Sequence, residues 1–272
     1  MIKLIASDMD GTLLDDDGKV PDGTFDLIEE LRKEGIGFAV SSGRRFDTLE
    51  ALFAPVANHM DFVASNGAQV VVDGVLVDRE VYSHASLRRL ENTSRMFDNL
   101  HLALFDRTNS YLFDDESCYE RELDKNLPNP VRAYSLPPAD VSILKASLFC
   151  DSEVMDTAYA LSRELGDEFV FAPSGKYWID AMQRGVSKAT GIQQVMDARG
   201  VQASELMAFG DAMNDYEILR MAGTSLAMSN ARPAIKQIAT RVIGTNAEHS
   251  VQRELQAVLD AARSGKGRVE QL

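Results

Sequence analysis

The strongest constraint on the fold of this 272-residue chain is an alternation of short apolar runs with amphipathic helical segments. Residues 3–9 form the first apolar run, residues 21–35 carry a helical pattern that ends at a glycine, and residues 36–40 form the second run. The alternation resumes after residue 185, with apolar runs at residues 206–209, 225–228 and 241–243. Strands that alternate with helices in this way form a parallel sheet covered on both faces. We therefore predict an α/β fold whose core is a Rossmann-like, doubly wound parallel sheet.

The segment between the two alternating parts has a different pattern. Residues 70–77 predict a β-hairpin with an Asp73-Gly74 turn, a dipeptide that suits two-residue hairpin loops. Residues 84–184 then mix short strands and helices without a regular order, and about a hundred residues are enough for a separate domain. We predict a core domain of residues 1–83 plus 185–272 and an inserted α+β domain of residues 84–184.

Two segments are predicted to lack regular structure. Residues 126–138 are polar and contain several prolines, which interrupt strands and helices. The last helix is expected to end near Ala262, and the tail from residue 264 onward is expected to be frayed.

The first apolar run ends in two acids, within the sequence Asp8-Met9-Asp10-Gly11-Thr12. Ligands of open α/β sheets bind beyond the carboxyl ends of the strands. Two carboxylates at such a buried strand end raise each other's pKa unless a cation intervenes, so an Asx turn that merely caps a helix is the weaker explanation. We interpret Asp8 as a nucleophile that carries a transient phosphoryl group and Asp10 as a general acid and base.

Two positively charged residues stand near other strand ends. Ser42, Gly43 and Arg44 follow the second run, where a hydroxyl and adjacent backbone N–H groups form a phosphate-binding corner and Arg44 is available for a bidentate contact with phosphate or sugar. Ser-Gly pairs are also ordinary loop residues. Lys188 begins a helical segment, a position that the helix dipole disfavours, so a nearby anion would explain it. A solvated surface lysine is the alternative.

An acidic cluster follows the apolar run that ends at residue 209. The segment reads Gly210-Asp211-Ala212-Met213-Asn214-Asp215 and suits a hard cation with oxygen ligands, such as Mg²⁺. Asp211 would be a direct ligand, Asn214 would reach ligand oxygens, and Asp215 would hold a ligand water or orient Lys188. A plain helix N-cap with acidic first-turn residues is the alternative.

The charge balance excludes some partners. Lys and Arg total 28 against 42 Asp and Glu, a net charge of −14, whereas binding to nucleic acid or to an anionic membrane surface requires the opposite field. No apolar run reaches membrane-spanning length, no leader precedes the first strand, and Cys118 and Cys150 form no C-x-x-C pair. We expect a soluble cytoplasmic protein without nucleic-acid or membrane partners, whose anionic substrate needs a local positive charge or a bound cation.

The four motifs occur in one order, each at a strand-to-helix junction. This combination resembles the haloacid dehalogenase superfamily, and specifically its Cof-type sugar-phosphatase branch. Ser65-Asn66-Gly67-Ala68 and Ala227-Met228-Ser229-Asn230-Ala231 are also similar to segments of that branch. The resemblance spans the whole chain, and Ser42 stands where Thr is the commoner choice. It implies that the inserted domain is a cap that carries specificity and closes during the reaction.

The resemblance also implies an activity and a role for each site residue. The chain would be a Mg²⁺-dependent phosphatase of small phosphorylated metabolites, sugar phosphates foremost, acting through an aspartyl-phosphate on Asp8. Mg²⁺ would be held by the Asp8 and Asp211 carboxylates and the Asp10 carbonyl, with Asp215 beside them. The implied phosphate-binding groups are Ser42, Lys188, Asn214 and the backbone N–H groups of Met9 and Gly43. Arg44 and Asn66 would contact the rest of the substrate.

Two other functions are compatible with parts of the pattern. A phosphotransferase or phosphohexomutase-like enzyme would use the same core motifs and pass the phosphoryl group to a sugar instead of water. A regulatory binding module would keep the fold and lose catalysis, but all four motifs here carry competent side chains. Among substrates, pyridoxal phosphate and flavin or nucleotide monophosphates stay open beside sugar phosphates.

Overall fold

The computed structural model describes residues 1–113, 127, 129–150, 153–174 and 176–269. The chain divides into two compact units. The first contains residues from Met1 to Asp78 and from Lys188 onward, and the second contains Arg79–Ser187. The predicted domain boundaries, at residues 84 and 184, lie inside the second unit.

The described strands and helices follow each other through both units. In chain order the strands are β1 (Leu4–Ser7), β2 (Gly37–Ser41), β3 (Asp61–Ala64), β4 (Gln69–Val72), β5 (Val75–Arg79), β6 (Leu100–Phe105), β7 (Ser110–Phe113), β8 (Pro130–Ala133), β9 (Lys145–Cys150), β10 (Phe169–Ser174), β11 (Trp178–Gln183), β12 (Leu206–Gly210), β13 (Thr224–Ala227) and β14 (Arg241–Val242). The helices are α1 (Thr24–Lys33), α2 (Phe46–Leu52), α3 (His84–Ser94), α4 (Val154–Leu165), α5 (Lys188–Arg199), α6 (Tyr216–Met221), α7 (Pro233–Ile238) and α8 (Ser250–Val269). None of these described helices has an apolar stretch long enough to span a membrane.

The strands of the first unit form one sheet in the order β14-β13-β12-β1-β2-β3-β4-β5. The pairs from β14 to β3 are parallel, and β4 runs antiparallel to β3. The central strand β1 is buried along its whole length, as expected for a parallel strand covered on both faces. The predicted doubly wound α/β fold is thus confirmed.

The strand register sets the level of the motifs at the sheet edge. Ser7, the last residue of β1, lies opposite Val40 of β2 and Phe209 of β12. The next residues along, Asp8 and Gly210, therefore leave the sheet at the same level on neighbouring strands. This places the first and fourth motifs side by side.

The predicted hairpin joins β4 to β5 and is confirmed. Asp73 and Gly74 both have positive φ, +48° and +75°. Two consecutive positive φ values define the type I′ turn, whose twist matches that of the flanking strands.

The second unit contains a sheet in the order β10-β11-β9-β6-β7-β8 with α3 and α4 packed on it. The prediction of irregular structure over residues 126–138 is wrong for β8, because Pro130–Ala133 pairs with β7 at the edge of this sheet. Proline is tolerated there, since it is the first residue of an edge strand and the ladder does not need its missing N–H.

The prediction that the tail frays from residue 264 is wrong as far as Val269, where α8 ends, and its last part, residues 270–272, lies outside the described residues. Arg263 forms ion pairs with Glu30 and Glu34 at the end of α1, and Ser264 Oγ donates to the Asp260 carbonyl at 2.8 Å. These contacts hold the helix beyond the point where its apolar pattern ends.

Candidate active site

Three carboxylates converge at the carboxyl ends of β1 and β12. Asp8 follows β1, Asp211 follows β12, and Asp215 lies in the short turn that precedes α6. Each offers one oxygen within 4.8 Å of the oxygens of the other two. Acids about two hundred residues apart in the sequence thus share one small volume.

Lys188, the first residue of α5, reaches into the same volume. Its side chain is only 1% exposed, and Nζ donates to Asp8 Oδ1 at 2.5 Å and to Asp215 Oδ1 at 2.7 Å. The Asp8 and Asp215 carboxylates offset the unfavourable interaction between the Lys188 charge and the helix dipole at the N-terminus of α5.

Asp215 has a second role in the turn after β12. Its Oδ2 accepts the backbone N–H groups of Asp211 and Ala212, both at 3.0 Å. A Cβ on Gly210 would collide with the Asp215 side chain, so only glycine lets this turn close. Asp215 therefore orients Lys188 and shapes the loop that presents Asp211.

The turn after β1 fits closely against Asp211. Gly11 has φ +77°, and a Cβ at this position would lie 2.7 Å from Asp211 Oδ2. Thr12 Oγ1 donates to Asp211 Oδ1 at 3.3 Å, and Asn230 Nδ2 donates to the Gly11 carbonyl at 2.7 Å. The sequence assigned no role to Thr12 or Asn230. The segment around Asn230 is similar to a segment of the Cof-type branch, but the sequence does not reveal its contact with Gly11 of the first motif.

Asp10 and Arg44 form an ion pair that the sequence did not predict. Arg44 Nε donates to Asp10 Oδ2 at 2.9 Å, and Arg44 Nη2 donates to Asp10 Oδ1 at 2.5 Å. The bidentate geometry holds the Asp10 carboxyl group in one orientation. The predicted contact of Arg44 with substrate stays a prediction, and the structure adds Asp10 as its partner.

The predicted phosphate corner is connected to the fourth motif through Asn66. Ser42 Oγ accepts the Arg44 N–H at 3.1 Å, and the Ser42 carbonyl accepts the Asn66 N–H at 2.9 Å. Asn66 is buried in a left-handed conformation, with φ +56°, and its Oδ1 accepts from Asn214 Nδ2 at 3.1 Å. Asn66 therefore positions Asn214, and its own contact with substrate stays a prediction.

The remaining predicted phosphate ligands are backbone groups. Met9 and Gly43 directly follow Asp8 and Ser42 in the chain, and the Met9 side chain is buried in the core of the first unit. All residues predicted for the site lie in the first unit. Lys188 comes from the start of α5, and the others follow the ends of strands β1, β2, β3 and β12.

Burial and crowding shift the pKa values of the acids. Burial raises the pKa of Asp8 well above its usual range, the Asp215 carboxylate adds to the rise, and Lys188 offsets only part of it. Burial also raises the pKa of Asp211 to about 6, again with a contribution from Asp215. Burial by itself would lower the pKa of Lys188, but Asp215 and Asp8 reverse that effect and raise it. One ammonium thus faces three carboxylates.

The donor set fits a hard divalent cation. The cluster of Asp8, Asp211 and Asp215 holds more negative charge than Lys188 neutralises, and this charge adds to the effect of burial in raising the pKa values of Asp8 and Asp211. Carboxylate oxygens are the ligands that Mg²⁺ and similar ions prefer. A cation among them would favour the ionised form of each acid.

The raised pKa of Asp211 predicts how the stability of the cation-free protein depends on pH. The carboxyl group ionises near 3.8 when unfolded and near 6 when folded. Between these values the unfolded chain binds fewer protons, so the free energy of unfolding falls as the pH rises through this window, by on the order of 2–3 kcal/mol. We expect this contribution of Asp211 to stability in EDTA to fall from pH 4 to pH 6.5 and excess Mg²⁺ to remove most of the fall.

Calorimetry of the wild type and of Asp211→Asn, each with EDTA and with Mg²⁺, tests this expectation. The variant should show a shallower fall in EDTA, because it lacks one of the carboxyl groups with raised pKa, which among the described residues are Asp8, Asp61 and Asp211. A dependence on pH in EDTA that is the same for Asp211→Asn and the wild type would contradict the assignment.

The close fit of Gly11 against Asp211 predicts a second effect. Gly11→Ala forces a left-handed alanine, at a cost of about 1–3 kcal/mol, and pushes its Cβ against the Asp211 carboxylate. We expect weaker Mg²⁺ binding by titration calorimetry and lower turnover. Gly35→Ala is the matched control, because Gly35 has φ +80° but a Cβ there meets nothing within 4 Å. It should lose similar stability and keep its affinity for Mg²⁺; equal effects of both variants on binding would contradict the prediction.

The chain is similar to proteins of known class over nearly its whole length. It is 31% identical over 269 residues to the 5-amino-6-(5-phospho-D-ribitylamino)uracil phosphatase YbjI of Escherichia coli (strain K12), covering 95% of this chain and 96% of that protein. It is 30% identical over 271 residues to the phosphatase of the same name, YitU, of Bacillus subtilis (strain 168), covering 93% and 96%. The crystal structure of SMU.1108c from Streptococcus mutans UA159 superposes with a TM-score of 0.88 at 25% identity, covering 96% of this chain and all of that one.

The fold and the site together define an α/β enzyme with an acidic centre at the carboxyl ends of its central parallel strands. The model of the haloacid dehalogenase-like hydrolases matches residues 5–255, and the chain belongs to that family. Within the family it is a phosphatase. The resemblance read from the four motifs is thereby confirmed.

Proposed function

We propose that this phosphatase is Mg²⁺-dependent and hydrolyses a small phosphorylated metabolite through an aspartyl-phosphate on Asp8. The observation that carries the proposal is the convergence of Asp8, Asp211 and Asp215 within 4.8 Å around the Lys188 ammonium. A nucleophilic carboxylate, a cation site and a fixed positive charge are what phosphoryl transfer to a carboxylate requires.

The residues that would hold Mg²⁺ are the Asp8 and Asp211 carboxylates and the Asp10 carbonyl, with Asp215 beside them. When bound, the ion supplies positive charge that lets an anionic phosphate approach Asp8 and stabilises the charge that develops on the phosphoryl oxygens. That contribution matters in a chain with a net charge of −14.

The proposed reaction has two steps, and both use Asp8 and Asp10. An oxygen of Asp8 forms a bond to phosphorus as the bond from phosphorus to the ester oxygen breaks, and Asp10 gives that oxygen a proton. Water then attacks phosphorus, Asp10 takes a proton from the water, and the bond to Asp8 breaks to restore the carboxylate. Arg44 keeps the Asp10 carboxyl group oriented through its bidentate contact.

The phosphoryl oxygens need several positive or N–H groups around them. Lys188 already donates a hydrogen bond to Asp8, the proposed nucleophile. Asn66 donates its backbone N–H to the Ser42 carbonyl and accepts from Asn214 Nδ2, so it links these two residues. The backbone N–H groups of Met9 and Gly43 complete the proposed set. Groups held in place before the reaction stabilise transition-state charge without reorganisation, and each is typically worth about 10²–10³ in rate.

The names of two relatives support a proposal for the substrate class. Two phosphatases at 30–31% identity are named for a ribitylamino-uracil phosphate, which is the phosphate ester of a sugar-like polyol. We propose that this chain also acts on a polyhydroxylated metabolite, with that compound and sugar phosphates as first candidates. We assign the choice among them to the second unit, residues 79–187, as a cap domain.

A phosphate-release screen tests the proposal. A panel should contain sugar phosphates, the ribitylamino-uracil phosphate, pyridoxal phosphate, flavin and nucleotide monophosphates and a generic aryl phosphate, each with Mg²⁺ and with EDTA. We expect release from a polyol or sugar phosphate in Mg²⁺ and none in EDTA. Transfer of the phosphoryl group to a second sugar would identify a phosphotransferase instead. Absence of hydrolysis across the panel would favour a regulatory binding module.

A further inference from the structure

Ser41, the last residue of β2, lies on the face of the sheet that α5 covers. Side chains alternate between the two faces along a strand, so Ser41 shares a face with Gly37. A Cβ on Gly37 would lie 3.4 Å from the side chain of Arg199 at the end of α5. The Ser41 side chain therefore points toward the same helix.

The neighbouring strand leads to the same placement. Ser41 is paired with Val63 of β3, and a Cβ on Gly191 of α5 would overlap Val63 Cγ1. Gly191 lies one helical turn from Lys188. Since paired residues in a parallel ladder point to the same face, Ser41 lies beneath the first turn of α5, where Lys188 begins.

The Ser41 hydroxyl also lies beside the nucleophile. Ser7 is opposite Val40 in the β1–β2 register, so the following residues, Asp8 and Ser41, are at one level on adjacent strands. Adjacent strands are about 4.8 Å apart. Ser41 is thus next to Asp8, whose carboxylate accepts from Lys188 Nζ.

Ser41 and Lys188 each have an unused hydrogen-bonding group. Ser41 is 1% exposed, and its Oγ has no hydrogen-bond partner among the described residues. An ammonium has three donors, of which Asp8 and Asp215 take two. The third N–H finds no acceptor within the part of the chain that the structure describes. Buried polar groups without a partner are rare and call for an explanation.

We propose that Ser41 is a positioning residue for the second half of the reaction, whose hydroxyl accepts the free N–H of Lys188 while Asp8 is phosphorylated. This rests on the aspartyl-phosphate route proposed above. When an Asp8 oxygen bonds to phosphorus and the ester oxygen leaves, Lys188 exchanges its Asp8 carboxylate partner for an oxygen of the bound phosphoryl group, and the ammonium shifts from its resting position. The Ser41 oxygen holds the shifted ammonium until water attacks phosphorus, Asp10 takes a proton from it, and the Asp8 carboxylate is restored.

The test compares Ser41→Thr with Ser41→Val, two side chains of the same shape that differ by the hydroxyl group. With an aryl phosphate and Mg²⁺, we expect Ser41→Val to lower kcat by about 10- to 100-fold, the range for a hydrogen bond to a charged group. The ratio kcat/KM, which reports only the steps up to phosphorylation, should change less than about threefold. Phosphoenzyme, measured by the mass of acid-quenched protein, should accumulate. Ser41→Thr should restore wild-type behaviour.

A third variant, Ser41→Ala, needs no extra space, because it removes the hydroxyl without adding a methyl group. It decides the question if Thr and Val at this position impair folding. We expect Ser41→Ala to show the same kinetics as Ser41→Val, with an unchanged Tm. Equal kcat for the Thr and Val variants would overturn the proposal, as would a fall in kcat/KM as large as the fall in kcat. A wild type that forms no phosphoenzyme, together with an active Asp8→Asn variant, would overturn the aspartyl-phosphate route itself.

Discussion

Asp8→Asn is expected to lower phosphate release by at least about 10³-fold, because an amide neither attacks phosphorus as a carboxylate does nor carries the charge that Lys188 faces. Loss of the nucleophile costs up to ~10⁶ in other hydrolases, so the expected value is a lower bound. The measurement is steady-state release from an aryl phosphate in Mg²⁺, with the mass of acid-quenched protein as a second readout. The variant should gain no phosphoryl mass.

Asp10→Asn is the matched control, two residues away in the same motif. An aryl alcohol leaves without a proton, so this variant should still phosphorylate Asp8. Water then lacks its base, and phosphoenzyme should accumulate while turnover falls. If Asp8→Asn hydrolyses the substrate at an undiminished rate, the covalent route is wrong.

Lys188→Met is expected to have the largest effect on stability. Lys188 is buried and bonded to two buried carboxylates, and removing one partner of such a pair costs about 3–5 kcal/mol, because Asp8 and Asp215 remain as unpaired charges. Turnover should fall by about 10²–10³ through the lost contact with the phosphoryl group. Chemical denaturation at pH 7.5 and pH 5 measures the first effect, which should be smaller at pH 5, where Asp8 takes up a proton more readily.

Two further variants separate charge from packing. Lys19→Met changes an exposed lysine and should stay within about 0.5 kcal/mol of the wild type. Lys188→Met combined with Asp215→Asn removes one of the uncompensated charges and should regain part of the stability without regaining turnover. If Lys188→Met is as stable as the wild type at pH 7.5, the buried ion pairs do not hold the site together.

The predictions at the site share one physical cause. Asp8, Asp211 and Asp215 are held together by the fold despite burial and mutual repulsion, and both effects raise the pKa values of Asp8 and Asp211, burial most. Lys188 offsets this rise in part, and a divalent cation would offset the rest. The same excess of negative charge that destabilises the cation-free site is what would bind Mg²⁺.

The fold was predictable because its signal is local. A parallel strand covered on both faces is apolar throughout, and β1, β2 and β12 show this in the sequence alone. The errors lie where local pattern and tertiary contact disagree. The edge strand β8, Pro-Val-Arg-Ala, lies in a polar segment with several prolines. The end of α8 has lost its apolar stripe but keeps ion pairs to α1.

The sequence by itself determined the fold class and which acids belong to the candidate site, because the carboxyl ends of parallel strands meet at one edge of the sheet and residues that follow those strands must gather there. The sequence offered Asp215 as a partner of Lys188, but only the tertiary structure decided that pairing and added Asp8 to it, paired Arg44 with Asp10 and placed Ser41 beneath α5. These pairings depend on strand register and on the approach of a helix from a distant part of the chain. The local pattern of apolar and polar residues contains no information about either of these features.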